Sequence, residues 1–216
     1  MPRTRMSPLA RRQELVEAAA RVFAERGVEQ TAVSDIVSSA GVAQGTFYLY
    51  FQSKTDVVNA VVEATSERIV SGVLAASEES DVDAVEKLLR IRDSLLATAM
   101  NDTDLLAFFH RPGNEAFHDR VSRDAVRRIV PAMERVIEQG LSEGVFHLTH
   151  GDDAARFLAA LMDMTDPFDA FAQPERLQHH VEALTEFGLR GLGCDERTIA
   201  RALAGTRSHV GPRKEA

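Results

Sequence analysis

Apolar residues recur at helical spacing along almost the whole chain, and no stretch alternates as a half-buried strand would. Leu15, Val16, Ala19, Val22 and Phe23 share one stripe of a 3.6-residue helix. Ser7-Pro8 opens that helix with a hydroxyl N-cap and a proline whose missing N–H costs nothing at the first helical position. Gly27 closes it, because glycine takes a positive φ without steric penalty. A short second helix is expected from about Ala32 to Ala40, with Thr31 as its N-cap. Gly41 breaks it, and a third short segment runs from about Ala43 to Phe51. Val57, Val58, Val61, Val62, Thr65 and Ile69 mark a longer fourth helix, capped by Ser53 or Thr55.

Beyond Ser77 the units lengthen. Val85, Leu88, Leu89, Leu95 and Leu96 mark one helix, and Val121, Ala125, Ile129, Met133, Val136 and Ile137 another. Pro131 lies inside the latter and is expected to kink it. Gly140, Gly144 and Gly151 read as a loop. Ala154, Ala155, Leu158, Leu161 and Met162 form the next helix, closed by Asp166-Pro167, and Pro174 opens a final long one through Leu177, Val181, Leu184 and Leu192. From Gly205 the chain is polar, and a short mobile tail is expected. The expected fold class is all-α. A length of 216 residues accommodates one large domain, or a small one joined to a larger.

Hydrophobic residues at 44% and charged residues at 27% exclude the disordered and fibrous classes. No apolar run approaches the ~20 residues that cross a bilayer. The basic N-terminus runs into a charged helix without the apolar core of a secretory signal. Cys194 is the single cysteine, so no intrachain disulfide forms. A cytoplasmic protein without membrane partners is expected. The formal net charge is −8, yet residues 1–54 hold seven Lys/Arg against five acids, and four of those arginines (Arg3, Arg5, Arg11, Arg12) precede the first acid. That asymmetry points to a small polyanion-facing head on an acidic body.

The two short helices meeting at Gly41 form a helix-turn-helix candidate, with Ile36, Val37, Val42 and Phe47 placed to pack across the turn. The second helix of such a unit enters the major groove and presents its first residues to base edges. Here those residues are Gln44, Gly45 and Thr46, followed by Tyr48 and Tyr50. Glutamine pairs bidentately with adenine, a threonine methyl touches the thymine methyl, and Gly45 permits close backbone approach. The two tyrosines of the protein lie here, in one aromatic cluster with Phe47 and Phe51. The phenylalanines are expected to pack against the flanking helices, and the tyrosines, with their polar tips, to face DNA.

The stretch from Arg11 to Glu63 resembles the DNA-binding head of the TetR family of bacterial transcriptional regulators. The resemblance is strongest in Ala40-Gly41-Val42, in Gly45-Thr46-Phe47-Tyr48-Leu49-Tyr50-Phe51 and in Ser53-Lys54, after a first helix ending Ala24-Glu25-Arg26-Gly27. It implies a three-helix head at 1–54, a helical ligand-binding and dimerisation domain at 55–205, and a tail at 206–216. It places Gln44, Gly45, Thr46 and Tyr48 at base edges, Tyr50 and Lys54 on phosphates, and Thr31 and Val33 near the DNA backbone. Ser34 stands where many members have arginine, and Gln52 where many are basic. No Lys or Arg occurs between Arg26 and Lys54, so arginine readout of guanine from the recognition helix is excluded, and a modest salt dependence is expected unless the N-terminal arginines contribute.

The resemblance further implies a homodimer that represses a palindromic operator and is released by a small, largely apolar inducer. A small-molecule binding module with a vestigial DNA head is the alternative. Met100, Phe108, Phe109, Phe117, Met133, Ile137, Met162 and Phe168 are pocket candidates, with His110, Arg111, His118, Asp163 and Asp166 as polar orienting groups. The apolar members serve equally well as ordinary core. Dimerisation has independent support. Phe157, Ala160 and Met164 diverge from the Leu158–Leu161 stripe, and Phe187 and Leu189 flank the Leu177–Leu184 face beside Gly188 and Gly191. A helix apolar on two faces is buried on both, as in a four-helix bundle across a two-fold axis. No nucleotide-binding glycine loop or zinc-protease motif occurs, and neither His147/His150 nor His179/His180 brings cysteines or a carboxylate set. No enzyme, cofactor or metal is expected, and Cys194 is read as inert.

Overall fold

The computed structural model describes residues 7–102, 105, 110, 115–164 and 174–206. Every regular element among them is an α-helix: α1 (Pro8–Arg26), α2 (Val33–Ala40), α3 (Gln44–Tyr48), α4 (Lys54–Glu78), α5 (Ala84–Asn101), α6 (Glu115–Ser142), α7 (Gly151–Met164), α8 (Pro174–Gly191) and α9 (Glu196–Thr206). The all-α expectation holds. The chain forms two compact units, one taking in the chain up to Arg68 together with Asn101–His118, the other Ile69–Met100 together with the chain from Asp119 onward.

In the first unit, α1 starts where its sequence signals place it. The Ala10 N–H donates to Ser7 Oγ at 3.2 Å with Pro8 in the first turn, and the Gly27 N–H donates to the Phe23 carbonyl at 2.8 Å with φ 77°. Leu15, Val16, Ala19, Val22 and Phe23 are all buried, as their spacing requires. Helix α1 packs on α2, and α2 on α3. Gly41 takes φ 65°, and the Val42 N–H reaches back to the Val37 carbonyl at 3.0 Å, ending α2 in a Schellman turn. An added Cβ at Gly41 would meet nothing within 4 Å, so backbone conformation rather than space demands glycine there.

The expected Thr31 cap is corrected. Ala32 holds the N-cap position of α2, and Thr31 is buried with its hydroxyl donating to the Gly27 carbonyl at 2.8 Å. The start of α2 is secured from the other side, by the Asp35 carboxylate accepting the Ala32 N–H at 2.8 Å. At α4 the choice falls on Ser53. Its Oγ accepts the Asp56 N–H at 3.1 Å, while the Asp56 carboxylate accepts the Gln52 and Ser53 N–H groups at 2.8 and 3.2 Å.

The second unit has a continuous apolar core that includes Val73, Ile91, Met133, Ile137, Phe146 and Leu192. Two readings change here. Gly140 belongs to α6 and Gly151 opens α7, so only Gly144 of the three lies in the loop: the chain turns at Gly144, φ 71°, and folds the Phe146 ring back onto the Gly140 Cα, where a Cβ would overlap it. Regular structure also continues past Leu192. After Gly193, φ 73°, the Asp195 carboxylate accepts the Thr198 N–H at 2.7 Å, and α9 sends Ile199 and Ala202 into the core. Helix α6 runs through Pro131 without ending. Polar ties join distant segments of this unit. Arg92 donates to Thr185 Oγ1 at 3.1 Å, Thr185 donates to the Val181 carbonyl at 2.7 Å, and Glu143 accepts the Ala84 N–H at 3.0 Å. The expected helix stop at Asp166-Pro167 and the tail from position 207 lie outside the described residues.

Candidate nucleic-acid interface

The surface of α3 is made by what lies beneath it. Phe47 is fully buried, and its ring meets the Tyr48 ring edge-on at 5.4 Å and the buried Phe51 ring at 5.5 Å. The Arg12 guanidinium lies 5.0 Å from the Phe51 ring centre, tying α1 to the end of this segment. With that anchor in place, Gln44 and Gly45 are exposed and Thr46 and Tyr50 half-buried. Tyr48 is 52% exposed despite its ring contact. The assignment of the two phenylalanines to packing holds, and Gln44, Gly45 and Tyr48 present a connected outer face.

A Cβ at Gly45 would meet nothing within 4 Å, so glycine is not demanded there by the protein's own packing. Lys54, at the start of α4, is half-buried, and its ammonium donates to the Glu29 carbonyl at 3.3 Å. That contact holds the charge beside the loop between α1 and α2. Val33 is half-buried in the first turn of α2, where N–H groups have no carbonyl one turn back. Thr31 does not offer its side chain to this face, since its hydroxyl is buried on Gly27.

One residue escaped the sequence reading. Leu49, immediately after α3, is 79% exposed. Its place beside Tyr48 was legible, but a leucine in an aromatic run reads as core until the turn of the chain is known.

The pocket candidates among the described residues divide between the two units. Met133 and Ile137 are buried in the core of the second unit, and Met100, in the same unit, is 40% exposed. His110 and Phe117 belong to the first unit, exposed and half-buried respectively. Structure does bring His110 and His118 together, ring centres 4.7 Å apart and edge to face. A polar group not anticipated from sequence lies in the same unit: Arg68 donates to Thr65 Oγ1 at 2.8 Å and to the Asp102 carboxylate at 2.5 Å. Burial pushes the Asp102 carboxyl up from the usual range, and Arg68 opposes that shift. Met162 and Asp163 fall within α7, while Phe108, Phe109, Arg111, Asp166 and Phe168 lie outside the described residues.

Phe157 and Phe187, the outward aromatics of α7 and α8, are 68% and 63% exposed. Leu189, read as flanking that outer face, is instead buried in its own unit's core. A Cβ at Gly188 would lie 3.5 Å from Leu158 Cδ2, so α8 approaches α7 closely at this point. Cys194 is half-buried, and burial together with Asp195 pushes its thiol up to about 11. No group of three or more metal-ligating side chains occurs among the described residues, and no helix there is long and apolar enough to cross a membrane.

Comparison with known proteins agrees with this geometry. The family described as bacterial regulatory proteins, tetR family, matches residues 15–61, from the middle of α1 into α4. The chain is 34% identical over 101 residues to the HTH-type transcriptional regulator LuxR of Vibrio harveyi, covering 47% of this chain and 49% of that one. It is 44% identical over 61 residues to the HTH-type transcriptional repressor KstR2 of Mycolicibacterium smegmatis, covering 28% and 30%. The chain thus spans about half or less of the length of these curated relatives. Among solved structures, RolR in complex with resorcinol is similar over 95% of each chain, with 21% identity and a TM-score of 0.58, a likeness of fold. Residues 15–61 thus match the helix-turn-helix head of the tetR family, and the chain that carries them shares the fold of RolR.

Proposed function

We propose that this protein is a DNA-binding transcriptional regulator, a homodimeric repressor whose operator affinity is lowered by a small, largely apolar ligand. One observation carries the reading: α3 is anchored by a fully buried Phe47 and leaves Gln44, Gly45 and Tyr48 outward. In this reading Gln44, Gly45, Thr46 and Tyr48 meet base edges, Tyr50 and Lys54 hold phosphates, and Val33 and Thr31 lie near the backbone through their main chain. Residues 1–54 form the DNA-binding domain and 55–205 the ligand-binding and dimerisation domain. The exposed Phe157 and Phe187 support a dimer through α7 and α8, since large aromatics in water gain by burial. A dimer sets two recognition helices about one DNA turn (~34 Å) apart and selects a palindrome. The ligand acts by favouring dimers with another spacing, with α4, to which both units contribute residues, as the connecting element. Regulators named among the relatives, and a neighbour of the same fold crystallised with resorcinol, support regulation and ligand response rather than catalysis.

The test is fluorescence anisotropy of the DNA upstream of the protein's own gene, at two salt concentrations, beside a scrambled duplex and the Tyr48→Ala variant. Specific binding lost in the variant is the expected result. Equal weak binding of both duplexes, unaltered by Tyr48→Ala, would favour the ligand-binding module with a vestigial head.

A further inference from the structure

From Ile36 to Ser53, eighteen residues, the chain contains no Asp, Glu, Lys, Arg or His, although 27% of the whole chain is charged. This stretch contains all of α3 and most of the outward face built on it. Within it the two exposed large apolar side chains are adjacent, Tyr48 at 52% and Leu49 at 79%. Tyr50 can serve this stretch as a neutral phosphate contact, and guanine calls for arginine or lysine, so neither explains the exposed apolar pair. Among base edges in the major groove the one apolar group is the C5-methyl of thymine, and the amide of Gln44 matches adenine. We propose that Leu49, with the ring of Tyr48 and the methyl of Thr46, reads thymine methyls, so that the head selects half-sites rich in A·T pairs.

Leu49 is then a specificity-determining residue, and its contact is apolar rather than hydrogen-bonded. Attraction to the DNA backbone comes from outside the neutral stretch, from Lys54 and the arginines of α1 and its N-terminal side. This inference rests on the DNA-binding reading, and the experiment separates the two. The full-length protein selects from a random duplex library, and the enriched duplex is remade with deoxyuridine in place of thymine, which removes only the methyl groups. Enriched half-sites rich in A·T pairs are expected, with affinity falling about fourfold for each contacted methyl lost. Leu49→Ala, exposed enough to leave the melting temperature unchanged, lowers affinity for the thymine duplex and shrinks its advantage over the uracil duplex. Half-sites dominated by G·C pairs, equal affinity for both duplexes, or undiminished thymine preference in Leu49→Ala would each overturn the inference while leaving DNA binding intact. No enrichment of any duplex would overturn both.

Discussion

The head and the second unit are both helical and teach opposite lessons about where information lies. In the head, the proposed DNA face is an uncharged surface over one buried ring: Phe47 anchors α3, and its neighbours in sequence become the outer face. In the second unit the apolar residues are gathered from six helices, and polar ties cross long stretches of chain, as in Arg92 to Thr185. The head is local and the second unit is not. A short segment held by one anchor is recognisable from a short segment of sequence, whereas a core assembled from distant helices is not.

Four changes test that contrast. Phe47→Ala should be the most severe, since a fully buried aromatic lost from a core costs about 3–5 kcal/mol. Denaturant unfolding should show that loss together with loss of DNA binding, and a stable Phe47→Ala protein that still bound its operator would break the claim that one ring sets α3. Gly140→Ala should follow, at about 1–3 kcal/mol, because the new methyl collides with the Phe146 ring. Thermal unfolding that left this variant unchanged would show that Phe146 moves away without cost. Phe157→Glu combined with Phe187→Glu should alter folding stability by no more than about 0.5 kcal/mol, as both are surface positions. Sedimentation should nevertheless show a shift from dimer to monomer, and an unshifted dimer would place the interface elsewhere.

The smallest effect concerns Cys194. With its thiol pushed up to about 11, alkylation by iodoacetamide should be slow at pH 8 and accelerate only towards that value. The raised pKa also means that the folded state holds its proton where the unfolded chain has released it. Its stability contribution is therefore complete below the ordinary thiol range and is lost as pH rises through about 11. Rapid labelling at pH 8 would show that the turn after α8 opens readily.

Signals between near neighbours were legible. Ser7-Pro8, Gly27 and Gly41 act within one helical turn, and each ends or starts its helix where the sequence places it. Thr31 was misread because its hydroxyl had two acceptable partners, and the path of the loop from Gly27 decides for the carbonyl. Gly140 and α9 were missed for a related reason. A glycine reads as a break unless a distant ring needs the space, and the Ile199/Ala202 stripe is too short to stand alone without a core to join.

By itself, then, the sequence determined the all-α class, the start of α1, the glycines that end α1 and α2, the neutral stretch between two charged flanks and the burial of Phe47 and Phe51. Periodicity, capping and charge act over a few residues and survive without knowledge of the rest. Tertiary structure alone decided that Leu49 stands in solvent, that Leu189 is core while Phe157 and Phe187 are not, that Arg92 finds Thr185, and that His110 meets His118. Exposure and pairing depend on which segments come to lie alongside one another, and that is a property of the packed chain rather than of any local run of residues.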